Sequence, residues 1–343
     1  MDHLRELRGC IEGPKEAVVI VVGDVMLDRY VYGYANSLNS TAPVPVLVET
    51  ERRADAGAAA HVARSLHDLG LATRLFAVVG DDDEGVELEE SLGEAGVDTK
   101  DLAMVEGMLT SLKTRLIGRR KSLVSNQQML LRWDRDNLDG LEAAVRDPII
   151  SSAIMAIPDA DVLVISDYGN GLITDQSAVD LVEAANSAGI PVIFDPKLTG
   201  LDRSRGATAV IFQSRGMRLM QQRMAAESID RLAQDMLEEH DWQAVFVIGG
   251  EDGVVLHRPE VESIVHPCRL DVSLQEIGLL DAAAAALGLT FAHGLNLEDG
   301  AELVNAACEC VLQAEDSREF VLTKRGLITR LDEAAWQMQI SQR

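Results

Sequence analysis

The chain has 343 residues, 47% hydrophobic but only 4% aromatic, so its core must be built from Ala, Val, Leu and Ile, as suits strands buried beneath helices. Its 31 basic and 56 acidic residues give a formal charge of −25, which repels phosphate backbones and anionic membranes and argues against nucleic-acid or membrane-surface binding. A small phosphorylated ligand remains compatible with that charge, because a pocket in an acidic protein can be locally basic.

In chain order, near-continuous apolar runs at 17–22, 74–79, 162–165, 191–194, 209–212 and 244–248 predict strands buried on both faces. Helical apolar spacing predicts helices over 57–69, 84–95, 176–188, 228–239 and 281–292, and 327–343 reads as a terminal amphipathic helix. This alternation implies a doubly wound, mostly parallel sheet flanked by helices, an α/β architecture with right-handed crossovers. Two stretches, 28–48 and 109–133, are strand-like without a following helix and are expected to form a small antiparallel β-lid. With no linker, repeat or break in composition, residues 1–343 are expected to form one domain.

The first ten residues lack the basic-then-apolar order of a secretory signal, and apolar runs such as 17–22 and 282–287 are too short to span a bilayer. Four cysteines (Cys10, Cys268, Cys308, Cys310) are too sparse for a disulfide framework, and no His pair near Cys308 and Cys310 suggests zinc. The expectation is a reduced, cytoplasmic chain.

Open parallel sheets bind ligands at the carboxyl ends of their strands. Those ends carry Gly23-Asp24, Gly80 with Asp81 to Asp83, Ser166-Asp167-Tyr168, Asp195-Pro196-Lys197 and the Gly249 to Gly253 turn. Polar residues at strand ends are ordinary loop chemistry one at a time. Their recurrence along one edge is what points to a site.

Residues 23–33 (GDVMLDRYVYG), 42–46 (APVPV), Ser125 to Gln128 followed by Arg132, Ser166 to Tyr168, Asp195 to Lys197 and Arg205 to Thr208 occur together in this order. That set resembles the ribokinase/PfkB carbohydrate kinases, and within them the kinase half of the bifunctional heptose-7-phosphate kinase/heptose-1-phosphate adenylyltransferases. The resemblance covers roughly 17–315. The adenylyltransferase half, with its His-x-Gly-His motif, is not matched.

The resemblance implies a ribokinase-like fold and phosphoryl transfer from ATP, with Mg²⁺, to a sugar hydroxyl, a reaction served by positioning, charge neutralisation and a base. It places the base at Asp281, where an Asp heads a helix after a glycine turn whose amides hold the transferred group. An Asp at that place is otherwise a favoured helix cap. For the sugar phosphate it implies Asp24, Asp28, Gly57, Asn126, Gln128, Arg132, Asp167 and Lys197, with Lys197 and Arg132 toward the distal phosphate. Gly253, Gly278 and Asn305 fall in nucleotide-side motifs, and a homodimer through the lid would cover its exposed edges. Each of these also has a plainer reading: turn capping for Asp24 and Asp28, an internal ion pair for Lys197, helix packing for Asn305.

Several positions depart from the family pattern. Leu280 stands where a glycine lets backbone approach phosphate, and Ser214 and Met217 replace an Asn-x-x-Glu motif that organises the metal. Gly57-Ala58-Ala59-Ala60-His61 stands for Gly-Gly-Ala-Ala-Asn, Asn170 for a lysine, and Ile248-Gly249 for Thr-Arg. His61, beside alanines on a helix, reads as a packed histidine. Two functions therefore stay open: an active kinase for D-glycero-D-manno-heptose 7-phosphate acting on the 1-hydroxyl, and a catalytically weak or inactive relative that binds a sugar phosphate or an active paralogue.

Overall fold

The computed structural model describes residues 2–119, 127–136, 140–314 and 320–341. In chain order it contains α1 (Asp2–Glu12), β1 (Val18–Gly23), β2 (Val25–Leu38), β3 (Pro45–Ala58), α2 (Ala59–Asp68), β4 (Ala72–Gly80), α3 (Asp83–Glu94), β5 (Leu102–Val105), β6 (Leu112–Arg119) and β7 (Gln128–Arg135). There follow α4 (Ala143–Ala156), β8 (Val162–Ser166), α5 (Asp175–Ala188), β9 (Val192–Asp195), β10 (Ala209–Gln213), α6 (Ser214–Met224), α7 (Ile229–His240) and β11 (Ala244–Ile248). The last elements are β12 (Val254–Arg258), β13 (Val261–His266), α8 (Leu279–Ala292), α9 (Leu297–Leu312) and α10 (Lys324–Ser341).

Among the described residues, nine strands form one sheet in the order β13-β12-β11-β10-β9-β8-β1-β4-β5. All neighbours pair in parallel except β11 with β12 and β12 with β13. The apolar runs form strands because both faces are covered. Along β1, Val19 and Val21 point into a core with α1, α2, α8, α9 and α10, while Ile20 and Val22 point into a second core with α4 to α7. Helix α8 shows why chain composition works here: its run of alanines, Ala282 to Ala286, is wholly buried and lets the helix lie close against the sheet.

The two lid stretches form a separate four-stranded sheet, β3-β2-β6-β7. Its strands run further than the sequence suggested. β3 continues through Glu49 to Ala58, charged residues that one solvated sheet face tolerates. Tyr30 on β2 meets Phe320 edge-on, ring centroids 6.2 Å apart, and ties lid to body. Helices α1, α4 and α6 and strands β5, β12 and β13 were not expected from the sequence. Among the described residues, no helix is long and apolar enough to cross a membrane.

Candidate active site

The chain leaves β1 for the lid and then β4 and β5 on one side, and returns through β8, β9, β10 and β11 on the other. The switch point of the sheet therefore lies between β1 and β8, where doubly wound sheets open a crevice. Register brings the strand ends level: Gly23 pairs with Ser166, and Ser166 with Asp195. Asp24, Asp167 and the Asp195 carboxylate thus share one edge with the start of α8.

Asp281 is the third residue of α8, whose N-cap is Gly278. Gly278 has φ +88°, a left-handed conformation that glycine adopts without strain, and a Cβ there would lie 3.1 Å from the His61 Cε1. His61 Nδ1 is 3.1 Å from Asp281 Oδ2, and the Tyr168 hydroxyl donates to Asp281 Oδ1 at 3.4 Å. His61 rides on the first turn of α2, which departs from Ala58 at φ 54° and ψ −131°. Glycine is the usual residue of the family turn there, and an alanine in that region holds local strain.

The electrostatics are those of a crowded acidic pocket. Burial pushes the Asp195 carboxyl up to about 8, with the charges of Asp281 and Asp167 adding to the effect. Burial also drives Tyr168 well above the usual phenol range, reinforced by Asp281, so it stays a hydroxyl donor. Asp167 is raised by burial despite the Arg203 guanidinium at 3.0 Å. Among the described residues, no group of three or more His, Cys, Asp or Glu side chains is arranged to hold a metal ion.

The residues singled out in the sequence fall into three sets. Asp24 and Asp167 hold the loop that carries Tyr168. Asp24 accepts from the backbone N–H groups of Tyr168, Asn170 and Leu172 at 3.0, 2.9 and 3.4 Å, and Asp167 accepts from Gly169 N–H at 2.9 Å. Asp28, Gly57 and Arg132 belong to the base of the lid or its facing surface. A Cβ at Gly57 would come within 2.6 Å of Asp28 Oδ2, so a side chain there would push that carboxylate from its place. Asp28 pairs with Arg115 at 2.5 Å, and strand register sets Arg132 opposite Arg115 on the same face, where it pairs with Asp134 at 2.8 Å. Gln128 is exposed at the start of β7, and Asn126 lies outside the described residues. Lys197 is exposed beyond β9, its Nζ beside Gly169.

The third set comprises Gly253 and Asn305 with the departing positions Met217, Leu279 and Leu280, the last two directly preceding Asp281 on α8. Gly253 has φ +85°, and a Cβ there would sit 2.1 Å from the His266 carbonyl, which makes the turn into β12 glycine-dependent. Asn305 is buried in α9, where its amide donates to the Pro267 carbonyl and to Glu309. Met217 is completely buried in the core beneath α6. Leu279 is buried and Leu280 half-buried against the opposite core. Sequence reasoning reads His61 as a packed histidine and names Asp195 at a strand end and in a motif without giving it a role. His61 sits 220 residues from Asp281, and only the fold joins them.

Residues 17–324 match the family model for pfkB family carbohydrate kinases. The bifunctional protein HldE of Paramagnetospirillum magneticum is 31% identical over 318 residues, covering 91% of this chain and 63% of its own length. HldE of Pectobacterium atrosepticum is 32% identical over 300 residues, covering 87% of this chain and 60% of its own. The chain spans about three fifths of the length of these relatives. Arabidopsis thaliana ribokinase, solved with ribose and ATP, superposes with a TM-score of 0.69 at 16% identity, over 92% of this chain and 99% of that one. Similarity at that identity speaks for the fold alone.

Proposed function

The chain belongs to the pfkB family of carbohydrate kinases, and from that membership we propose that it transfers the γ-phosphoryl group of ATP to the 1-hydroxyl of D-glycero-D-manno-heptose 7-phosphate. The observation that carries the reading is the carboxylate of Asp281, set on the first turn of α8 at the switch point of the sheet and held by side chains from two other elements. The heptose assignment is supported by the motif set of the sequence and by the HldE relatives, which match over most of this chain.

In this reading the sugar lies between lid and sheet. Asp28 and the Gly57 turn meet its hydroxyls, with Gln128 further out on the lid, and Lys197 and Arg132 provide positive charge for the distal phosphate; Asn126 joins the sugar contacts on its sequence motif alone. Asp24 and Asp167 act indirectly, by fixing the loop that carries Tyr168. Asp281 takes the proton of the 1-hydroxyl as that oxygen bonds to the γ-phosphorus, and the bond to the bridging oxygen breaks to release ADP. The first-turn amides of α8 have no acceptor within the helix and suit the transferred group's negative charge. Gly253 and α9, with Asn305 beneath its surface, form the nucleotide side. Mg²⁺ is proposed to arrive on the ATP phosphates, because the described side chains make no metal cage of their own. The lid's edge strands, β3 and β7, expose Val46, Val48, Leu131 and Trp133, which supports a homodimer covering those edges.

A second reading, a weak or inactive sugar-phosphate binder, is favoured by one observation. Leu280 and Met217 stand at phosphoryl- and metal-handling positions of the family pattern, both pack into hydrophobic clusters, and neither side chain has an oxygen to offer a hard cation. ADP release measured with heptose 7-phosphate, with unphosphorylated heptose and without sugar separates the two. The active reading expects release only with the phosphorylated sugar. Calorimetric binding of the sugar phosphate with no ADP release would establish the second reading, and no binding at all would contradict both.

A further inference from the structure

A carboxylate on the first turn of a helix ordinarily turns back to cap its own amides. Asp281 is held outward instead, one oxygen by His61 from α2 and the other by Tyr168 from the loop after β8. Its side chain is 13% exposed and that of His61 8%, so the pair is shielded while one edge of the carboxylate stays open. The imidazole is wedged against the turn at Gly278, where its Cε1 fills the space a side chain would need. Its position is therefore set by the same turn that starts α8.

The charged and titratable groups facing His61 come from every neighbouring element. They are Asp281 on α8, Asp28 on β2 with its partner Arg115 on β6, Arg64 on its own helix α2, and Tyr168, which shares Asp281. Asp195, at the end of β9, acts on the same group through its interaction with Asp281. Burial opposes a charged imidazole here. The hydrogen bond and charge of Asp281, with the charge of Asp28, outweigh it and raise His61 above its ordinary value.

We propose that His61 is a positioning residue for the Asp281 base: with Tyr168 it fixes the rotation of the carboxylate, and its own protonation sets how strongly that carboxylate accepts the sugar proton. This rests on the kinase reading above. Neutral His61 donates its Nδ1–H and leaves Asp281 a competent base. Cationic His61 stabilises the carboxylate's charge and weakens it as a proton acceptor. Turnover should therefore fall as pH drops through the His61 titration.

The test combines pH profiles of kcat for the parent, His61→Ala and His61→Asn with an NMR titration of the His61 ring in the parent and in Asp281→Asn. His61→Ala removes the donor and should lower kcat by roughly tenfold or more across the pH range. His61→Asn sets an amide N–H near the place of Nδ1 without a titrating charge. It should recover most of that loss, with its acid limb displaced to lower pH. The His61 ring should titrate at lower pH in Asp281→Asn, because burial then acts unopposed by that carboxylate. An acid limb unmoved in His61→Asn, or a ring titration unmoved in Asp281→Asn, would overturn the proposal. The ring titration needs no turnover, so a parent without kinase activity would end the kinase reading and still leave the pairing to be decided.

Discussion

At the scale of single residues, Asp195 carries the sharpest electrostatic consequence. Its carboxyl is buried beside Asp281 and Asp167 and is raised to about 8 from the ordinary 3.8. Between those values the folded protein keeps a proton that the unfolded chain has lost. Stability contributed by this group is therefore full in acid and declines as pH climbs from about 4 to about 8. Asp195→Asn mimics the protonated form and removes the titration. Its melting temperature relative to the parent should rise steadily across that window, and a difference that does not vary with pH would contradict the raised value. Asp281 was legible as a candidate because it starts a helix in a recognisable motif order, although Leu280 replaces a glycine of the family turn. The partnership of His61 with it was not legible. A histidine among alanines carries no local sign of which distant helix packs beside it.

At the scale of elements, the last two helices are tied to β13 by a buried ion network. Glu309 on α9 accepts from Arg330 on α10 at 2.7 Å and from Arg269 at 3.0 Å, and Glu302 accepts from His266 at 2.9 Å. Glu309 and Arg330 are 1% and 3% exposed. Removing one partner of such a pair leaves a desolvated charge behind, which costs more than the pair itself contributes. Arg330→Ala should lose about 3 kcal/mol in denaturant unfolding, toward the low end of the range for broken buried pairs because Arg269 still faces Glu309. A loss under about 1 kcal/mol would place the network at the level of a surface ion pair. Sequence pattern found the central strands because burial on both faces makes them continuous apolar runs. It missed α4, which has Pro148 inside it and little amphipathic contrast, and it cut β3 short because half of that strand is charged and solvated.

At the scale of the whole molecule, strand–helix alternation was enough to imply a doubly wound sheet with its site at the carboxyl edge, and the two lid stretches did form a separate sheet. The level of the strand ends, the seating of Tyr30 on Phe320 and the closure of α8 against α2 come from tertiary packing, and no local window of sequence encodes them. They bring Asp28, His61, Tyr168, Asp195 and Asp281 into one electrostatic neighbourhood. The lid supplies Asp28, helix α2 supplies His61, helix α8 supplies Asp281, and the sheet edge supplies Tyr168 and Asp195.

The central claim is that Asp281 takes the proton of a sugar hydroxyl. The most direct measurement is kcat for ADP release with heptose 7-phosphate in the parent and in Asp281→Asn, alongside calorimetric affinity for the same sugar phosphate. Asparagine keeps the size and can still meet His61 and Tyr168, but it cannot accept the proton. Turnover should fall by about two to four orders of magnitude with sugar affinity changed less than about threefold. Parental turnover in Asp281→Asn would remove Asp281 from the chemistry and contradict the mechanism built around it.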